Sequence, residues 1–363
     1  MWDRVHGQDR AVALLQRAAE RPVHSYLLVG PRGSGVEDAA RCFGAALVAG
    51  APDDERAWDL ARRGRHPDVV EIDPPEGMLR VETAQAIVDE AHRSPIEGDR
   101  KVIVVFDAER LNEPAANRLL KTLEEPPATT HIVLVSAAPD ELLSTIRSRC
   151  QRVDFNVLED AVVEAALAEA GINRDRAALV ARLAGGRLDR ARDLAGRLGP
   201  VRAAFVEATA ALDGSGSAVA QQSERLQGAL AATVAELEAA QEREAEQLAG
   251  ELEAAGYPER TARTLERRLA ERHRREHRRA RTEALVEGIT ALETVYRDAL
   301  AGPDAPALNI DHRVPFVQPR ACDRALRACR AARDVLGEFN PSEGLLLERL
   351  LLQLPGSGPR PDL

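Results

Sequence analysis

The stretch GPRGSGVE, from Gly30 to Glu37, follows the apolar run Tyr26–Val29 and precedes a helical pattern. A phosphate-binding loop of the form GxxxxGK[ST] wraps phosphates with backbone N–H groups, and its Lys and hydroxyl hold phosphate oxygens and Mg²⁺. Val36 and Glu37 stand here in place of the Lys and the hydroxyl residue. Because Val36 is uncharged and Glu37 repels phosphate, we expect no nucleotide at this loop. The glycines that keep the frame are Gly30, Gly33 and Gly35.

A second place for phosphoryl-transfer chemistry is the end of the apolar run KVIVVF. In NTPases such a strand ends in Asp-Glu, which holds Mg²⁺ and polarises the attacking water. Phe106 occupies the position of the metal-binding Asp, and Asp107 that of the catalytic Glu. The incomplete loop alone is compatible with an ordinary strand-to-helix turn. Two positions that lack the same chemistry predict a chain that binds neither ATP nor Mg²⁺.

Composition limits the classes of function. The 363 residues suffice for two or three domains, and 44% hydrophobic with 30% charged residues is typical of a soluble globular protein. Aromatic residues at 3% and a net charge of -10 argue against a base-stacking surface and against bulk attachment to nucleic acid or membranes. The four cysteines form no CxxC pair, so we expect no metal site and no disulfide framework. A polar start and no long apolar run favour a cytoplasmic protein.

The elements that must position these residues alternate between strand and helix up to about Phe155. The runs SYLLVG, DVVEI, KVIVVF and HIVLVS, separated by helical patterns, predict an α/β domain with a mostly parallel sheet covered by helices. From residue 156 to residue 205 the pattern is helical, and two of its helices end at glycines. We expect a small all-helical domain there.

Residues 206–363 differ in character. After the break Gly214–Ser217, the region Ala218–Ala301 is rich in Ala, Glu, Arg and Leu, which predicts long charged helices paired around EAAGYPER. Two further helices, Pro319–Phe339 and Pro341–Leu354, precede a tail with the composition of a disordered end. The basic run Glu271–Arg281 has arginines all around the helix, which favours a solvated, salt-bridged helix pair over DNA binding.

Two motifs, NRLLKTLEEPP (Asn117–Pro127) and TIRSRCQ (Thr145–Gln151), resemble the clamp-loader branch of the AAA+ superfamily. Within this branch, degenerate loop and acidic motifs beside an intact SRC motif resemble the delta-prime type of subunit in bacterial DNA polymerase III clamp loaders. The resemblance implies a RecA-like AAA+ domain over 1–155, a helical lid over 156–205 and an all-α collar over 206–363. It is strong up to Phe155, fair over the lid and weak beyond Gly214.

The resemblance also implies roles for residues of the SRC motif. Arg149 corresponds to the arginine finger that reaches the ATP site of a neighbouring subunit; Arg147 is the alternative finger. From the short motif alone, a pairing of Arg149 with a local carboxylate is an equal alternative. Ser136 stands at the position that senses the γ-phosphate and is expected to hydrogen-bond locally, and Cys150 is expected to pack as a small apolar side chain. The residues that support the motif are Lys121, Ser136, Ser148 and Cys150.

The chain departs from the family pattern in the lid and at the position of a zinc module. In the lid stretch GGRLDRAR, Asp189 falls where the family has an Arg that contacts phosphate, and Arg190 follows it; a slip of one residue would restore the contact. Many relatives carry a four-cysteine zinc module between the first helix and the second strand. Residues 50–65 contain no cysteine, so His66 is expected to be a helix-end or turn residue before Pro67, with no metal.

The resemblance implies a non-motor subunit with no intrinsic ATPase activity and no bound cofactor, since ATP and Mg²⁺ belong to neighbouring subunits. Its expected partners are tau/gamma and delta siblings and, through the complex, the sliding clamp and primed DNA, with no membrane. Two alternatives stay open: an active clamp-loader ATPase of the tau/gamma type, and a helical scaffold protein with a relic AAA+ domain.

Overall fold

The computed structural model describes residues 2–49, 54–62, 66–72, 79, 81–254, 259–302, 304–312, 317–338 and 341–356. The chain divides into two compact units, Met1–Arg192 and Asp193–Leu363. The division falls inside the segment 156–205, for which the sequence predicts a separate lid.

The first unit contains a five-stranded parallel sheet with the order β2-β3-β4-β1-β5. This sheet, with helices on both faces, confirms the predicted RecA-like α/β architecture. Four strands coincide with the predicted apolar runs, but β5 was not predicted, because Val153 is its only buried residue. The strands are β1 (Ser25–Val29), β2 (Val69–Ile72), β3 (Lys101–Val105), β4 (Thr130–Ser136) and β5 (Gln151–Asp154).

Helices cover both faces of this sheet because successive strand residues point to opposite sides. On β1, Tyr26 and Leu28 belong to the apolar core that also contains Phe43, whereas Leu27 and Val29 belong to the core on the other face. The helices that begin in the first unit are α1 (Asp9–Glu20), α2 (Val36–Val48), α3 (Glu55–Arg62), α4 (Val81–Ala91), α5 (Glu113–Glu124), α6 (Ser144–Arg147), α7 (Asp160–Glu169), α8 (Arg174–Ala184) and α9 (Leu188–Ala195).

The glycines that follow α7 and α8 end these helices as the sequence predicts. Gly171 and Gly185 have φ angles of +82° and +59°, a region that glycine enters without the steric cost of a Cβ atom. Among the described residues from 156 to 205, the regular elements are all helices, as predicted.

The second unit is helical throughout its regular elements, as predicted for the C-terminal region. Its two longest helices are antiparallel. Glu238 contacts His277 and Glu244 contacts His273, so the sequence numbers rise along one helix as they fall along the other. The predicted turn of this hairpin, residues 255–258, and the tail from residue 357 lie outside the described residues. None of the helices described here is long and apolar enough to cross a membrane. The helices are α10 (Gly199–Ala211), α11 (Gly216–Ala254), α12 (Glu259–Ala301), α13 (Pro319–Glu338) and α14 (Glu343–Leu351).

Candidate functional site

The glycine-rich loop between β1 and α2 has the backbone that its sequence requires. Gly33 and Gly35 have φ angles of +74° and +93°, which L side chains rarely adopt. The N–H of Gly30 donates to the carbonyl oxygen of Ser136 at 3.1 Å, so the loop begins where β1 and β4 end side by side. The loop is therefore fixed at the carboxyl edge of the sheet, where parallel α/β folds bind ligands.

Val36 and Phe106, the two residues at positions where a nucleotide site would have charged side chains, pack in the core. Val36 and Phe106 are 1% and 5% exposed and belong to the same apolar core. The guanidinium carbon of Arg41 lies 4.8 Å from the centre of the Phe106 ring, a cation–π distance. Both side chains therefore stabilise the domain and offer no group to phosphate or to a metal ion.

The carboxylate of Glu37 turns back onto the loop. Its Oε1 atom accepts a hydrogen bond from the backbone N–H of Gly33 at 3.4 Å. Burial raises the pKa of Glu37, and the nearby charge of Asp189 adds to this, while hydrogen bonds from backbone N–H groups and the charge of Arg32 oppose it. The Glu37 carboxylate thus accepts a hydrogen bond from one of the backbone N–H groups with which such loops bind phosphate.

A second carboxylate, that of Asp189, lies against the same loop. A Cβ atom built on Gly33 would meet Asp189 Oδ1 at 1.7 Å, so the side chain fills the space above the glycine. The N–H of Leu188 donates to the carbonyl oxygen of Gly33 at 2.8 Å and attaches the start of α9 to the loop. Arg187 Nη2 donates to Asp189 at 2.8 Å, whereas Arg190 Nη1 donates to the carbonyl oxygen of Leu183, near the end of α8.

Asp107, two residues after the end of β3, is held by two arginines. Its φ is +48°, the only positive φ of a non-glycine residue among the described residues. Arg32 Nε donates to Asp107 Oδ1 at 3.1 Å and its Nη2 pairs with Oδ2; Arg110 Nε lies 3.4 Å from Oδ2. The carboxylate that stands at the catalytic Glu position is therefore neutralised by the chain itself.

Ser136 differs from its sequence-based expectation. Its side chain is 1% exposed, and among the described residues its Oγ atom has no hydrogen-bond partner. The expected local hydrogen bond is therefore wrong for the hydroxyl, although the carbonyl oxygen of Ser136 accepts from Gly30. The hydroxyl of Ser34 in the loop is likewise buried and without a partner in this part of the chain.

The SRC turn at the end of α6 places Arg149 beside the end of α5. Arg149 Nε donates to Glu124 Oε1 at 2.8 Å, and Arg149 Nη1 donates to the carbonyl oxygen of Thr145 at 2.8 Å. The Arg149 side chain is 34% exposed. The pairing with a local carboxylate, one alternative from the sequence, is therefore present. Arg147 Nη1 pairs with Asp140 at 2.8 Å.

The residues around Arg149 support the turn. Cys150 is half-buried against the core between α5, α6 and the sheet, as its sequence position predicts, and burial raises the pKa of its thiol to about 12. The hydroxyl of Ser148 donates to the carbonyl oxygen of Thr145 at 3.1 Å. Lys121 has an exposed side chain, and its carbonyl oxygen accepts from the N–H of Glu125 at the end of α5.

His66 lies before the turn at Pro67, as predicted, and its Nδ1 atom accepts a hydrogen bond from the N–H of Asp68 at 3.1 Å. Among the described residues, no three His, Cys, Asp or Glu side chains form a group that could hold a metal ion. Cys322 and Cys329 on α13 are fully buried.

The basic run on α12 forms ion pairs within the second unit. His273 Nε2 lies 2.8 Å from Glu244 Oε2, and Arg281 Nε lies 2.8 Å from Glu343 Oε1. The contact of His273 joins α12 to α11, as predicted for the paired charged helices, and the ion pair of Arg281 joins α12 to α14. Arg274 and Arg278 are exposed.

The sequence did not indicate the partners that hold these groups. Glu124 could have been noticed because it lies inside the LEEPP motif. Its contact with Arg149, however, joins residues 25 positions apart. The contact between Arg32 and Asp107 spans 75 positions and has no local signal.

Comparison with known proteins finds similar sequences among subunits of DNA polymerase III. A family model described as "DNA polymerase III, delta subunit" matches residues 7–159. Residues 7–159 of this chain are therefore similar to that family. The delta-prime subunit of Bacillus subtilis DNA polymerase III is 33% identical over 183 residues, which are 48% of this chain and 56% of that protein. The delta-prime subunit of Pseudomonas aeruginosa is 39% identical over 135 residues, which are 35% of this chain and 41% of that protein.

The matched part of the chain is thus similar to delta-prime subunits of DNA polymerase III. The chain spans about half the length of these curated relatives. The tau subunit of Bacillus subtilis DNA polymerase III is also similar, with 36% identity over 162 residues, 42% of this chain and 29% of that protein. A solved Thermotoga maritima protein, described as related to the DNA polymerase III gamma subunit, aligns over 94% of this chain and 97% of its own, with 18% identity and a TM-score of 0.46.

Proposed function

We propose that this protein is a non-motor subunit of a DNA polymerase III clamp loader, which binds no ATP itself and supplies Arg149 to the ATP site of a neighbouring subunit. The observation that carries the proposal is the presence of two carboxylates, Glu37 and Asp189, on the loop that would hold phosphate. The delta-prime type of the N-terminal domain supports the same conclusion.

The residues at the loop do not fit ATP with Mg²⁺. Two like charges about 4 Å apart repel each other by about 4 kcal/mol at an effective dielectric constant of about 20, so each carboxylate beside a phosphate opposes binding. Val36 and Phe106 are buried in the core, and Asp107 is paired with Arg32. No residue at these positions supplies the Lys, the hydroxyl or the metal-binding Asp that nucleotide binding requires.

Arg149 has the chemistry that a neighbouring site needs. A guanidinium is always charged and presents five N–H donors in a planar fork that matches phosphate oxygens. An arginine supplied in trans accelerates phosphoryl transfer in GTPases by about 10³–10⁵. Arg149 is partly exposed at a turn between α6 and β5, whereas the carboxylates of this chain occupy its own loop.

In this proposal the protein assembles with tau/gamma and delta subunits, and the complex acts on the sliding clamp and on primed DNA. A sibling subunit holds the ATP, and Arg149 completes that site. Hydrolysis then releases the arrangement that holds the clamp open. The fold of the first unit serves assembly, and the reaction takes place at the neighbour.

The similarity to tau subunits favours one alternative, an active ATPase. A titration of the isolated protein with ATP and Mg²⁺, followed by calorimetry, separates the two functions. We expect no binding up to about 1 mM, whereas an active tau/gamma sibling titrated in parallel binds. Micromolar binding by this protein would replace the proposed function with that of an ATPase.

A further inference from the structure

The pair formed by Glu124 and Arg149 joins two motifs that are separate in the sequence. Glu124 is the last residue of α5, in LEEPP, and Arg149 is the central residue of SRC after α6. Arg149 Nε donates to Glu124 Oε1 at 2.8 Å, and Nη2 pairs with the same oxygen. The carbonyl oxygen of Thr145 accepts from Nη1 at 2.8 Å on the other side of the guanidinium.

Glu124 accepts hydrogen bonds from one edge of the Arg149 guanidinium and leaves the N–H groups of another edge available. Nε and Nη2 form the side edge of the planar group, and both donate to Glu124. Each Nη atom carries two N–H groups, so the end edge retains N–H groups that Glu124 does not use. Nη1 is also 3.4 Å from Ser148 Oγ, a long contact that a stronger acceptor can replace.

Stability alone does not account for the pair. The side chains of Glu124 and Arg149 are 46% and 34% exposed, and ion pairs this exposed contribute little to folding. Arg side chains have many rotamers, however, and the acceptors at Glu124 and Thr145 together favour one orientation of Arg149. Groups that are oriented before the reaction stabilise developing charge without reorganisation.

We propose that Glu124 is the positioning residue of Arg149: its carboxylate holds the side edge of the guanidinium and presents the end edge to the phosphates of the neighbouring subunit. This inference rests on the function proposed above. Glu124 touches neither nucleotide nor metal in this role and acts through Arg149 alone.

The test uses the complete complex, reconstituted with its sibling subunits, clamp and primed DNA, and measures the kcat and KM of ATP hydrolysis. Glu124→Ala is expected to lower kcat about 10- to 100-fold, a typical effect of a misplaced reacting group, with the KM for ATP unchanged because the neighbour holds the ATP. Glu124→Gln keeps an oxygen acceptor for Nε and is expected to recover part of the rate. Glu125→Ala, at the adjacent exposed Glu, removes the same charge and is expected to match the wild type.

The outcomes separate this inference from the proposed function. If Arg149→Ala lowers kcat while Glu124→Ala leaves it unchanged or raises it, the positioning role is wrong and the proposed function stands. If Arg149→Ala has no effect, the proposed function fails and the positioning role fails with it. In the Arg149→Ala background, Glu124→Ala is expected to add no further loss, and an additive loss would assign Glu124 to another task. If the complex with Glu124→Ala does not assemble, the kcat of the complex with Glu124→Gln is compared with that of the wild type instead.

Discussion

Glu37 Oε1 lies 3.4 Å from the backbone nitrogen of Gly33, four residues earlier in the same loop. The chain therefore places its own carboxylate on a backbone N–H of the glycine loop. Asp189 covers the same glycine from the start of α9. Two side-chain carboxylates of the chain therefore lie against this glycine loop.

The charge of Glu37 gives a pH-dependent prediction. Burial raises its pKa in the folded protein above the unfolded value, so the stability linked to its protonation is present at low pH and is lost as the pH rises through the folded pKa. Glu37→Gln resembles the protonated side chain and still accepts from Gly33. We expect this variant to be more stable than the wild type at pH 8 and equally stable at pH 4, measured by urea unfolding.

A matched control for Glu37→Gln is Glu20→Gln, at an exposed residue near the end of α1. This control is expected to change stability little at either pH. A loss of stability in Glu37→Gln at pH 8 would mean that the carboxylate is a net favourable ion in the loop, which contradicts the account.

The contact between Gly33 and Asp189 is tested by adding a methyl group. Gly33→Ala combines a φ of +74° with a Cβ atom placed 1.7 Å from Asp189 Oδ1, so it is expected to cost more than the roughly 1–2 kcal/mol of backbone strain. Gly185→Ala shares a positive φ, +59°, but meets no atom within 4 Å, and is expected to cost strain alone. Thermal or urea unfolding measures both.

In the Asp189→Ala background, Gly33→Ala is expected to cost less, with a coupling of at least about 0.5 kcal/mol. Equal costs in both backgrounds would show that Asp189 does not lie on the loop in solution.

The sequence predicted the parts of this fold that have a repeating local signal. β1, β3 and β4 are fully buried apolar runs, and they were identified. β5 was missed because its pattern has a single buried residue and its place depends on pairing with β1. Val36 and Phe106 showed which ligands are missing, but the sequence does not reveal that Glu37 and Asp189 fill the loop. That information depends on contacts across the chain.

Asp68 gives a prediction for acid stability. Burial favours a higher pKa for this carboxyl, but hydrogen bonds from the N–H groups of Ile96, Glu97 and Gly98 outweigh it and lower the pKa. Its stabilisation is therefore present above the unfolded pKa and is lost as the pH falls through the folded pKa.

Asp68→Asn replaces one acceptor oxygen by a donor, and we expect a loss of about 1–3 kcal/mol at pH 7 that shrinks toward pH 3. Urea unfolding at both pH values measures this, with Asp9→Asn on the exposed face of α1 as the control. A loss that is the same at pH 3 and pH 7 would show that the charge of Asp68 plays no part.

The charged hairpin of α11 and α12 gives a prediction about DNA. Because the described contacts of its basic run with carboxylates lie within the unit, we expect Arg274→Glu with Arg278→Glu to leave the binding of primed DNA by the complex unchanged. Fluorescence anisotropy at two salt concentrations measures this. Weaker binding in the double variant, together with a smaller dependence on salt, would assign the hairpin to DNA contact instead.

The most direct test is the rate of DNA-stimulated ATP hydrolysis by the complex that contains Arg149→Ala, compared with Arg147→Ala as the matched control two residues away. Arg147 pairs with Asp140, and its replacement is expected to preserve the rate. The account predicts that the Arg149→Ala complex assembles normally and that hydrolysis falls about tenfold or more, since an arginine in trans stabilises the transferred phosphoryl group. Hydrolysis at the wild-type rate in an intact Arg149→Ala complex would contradict it.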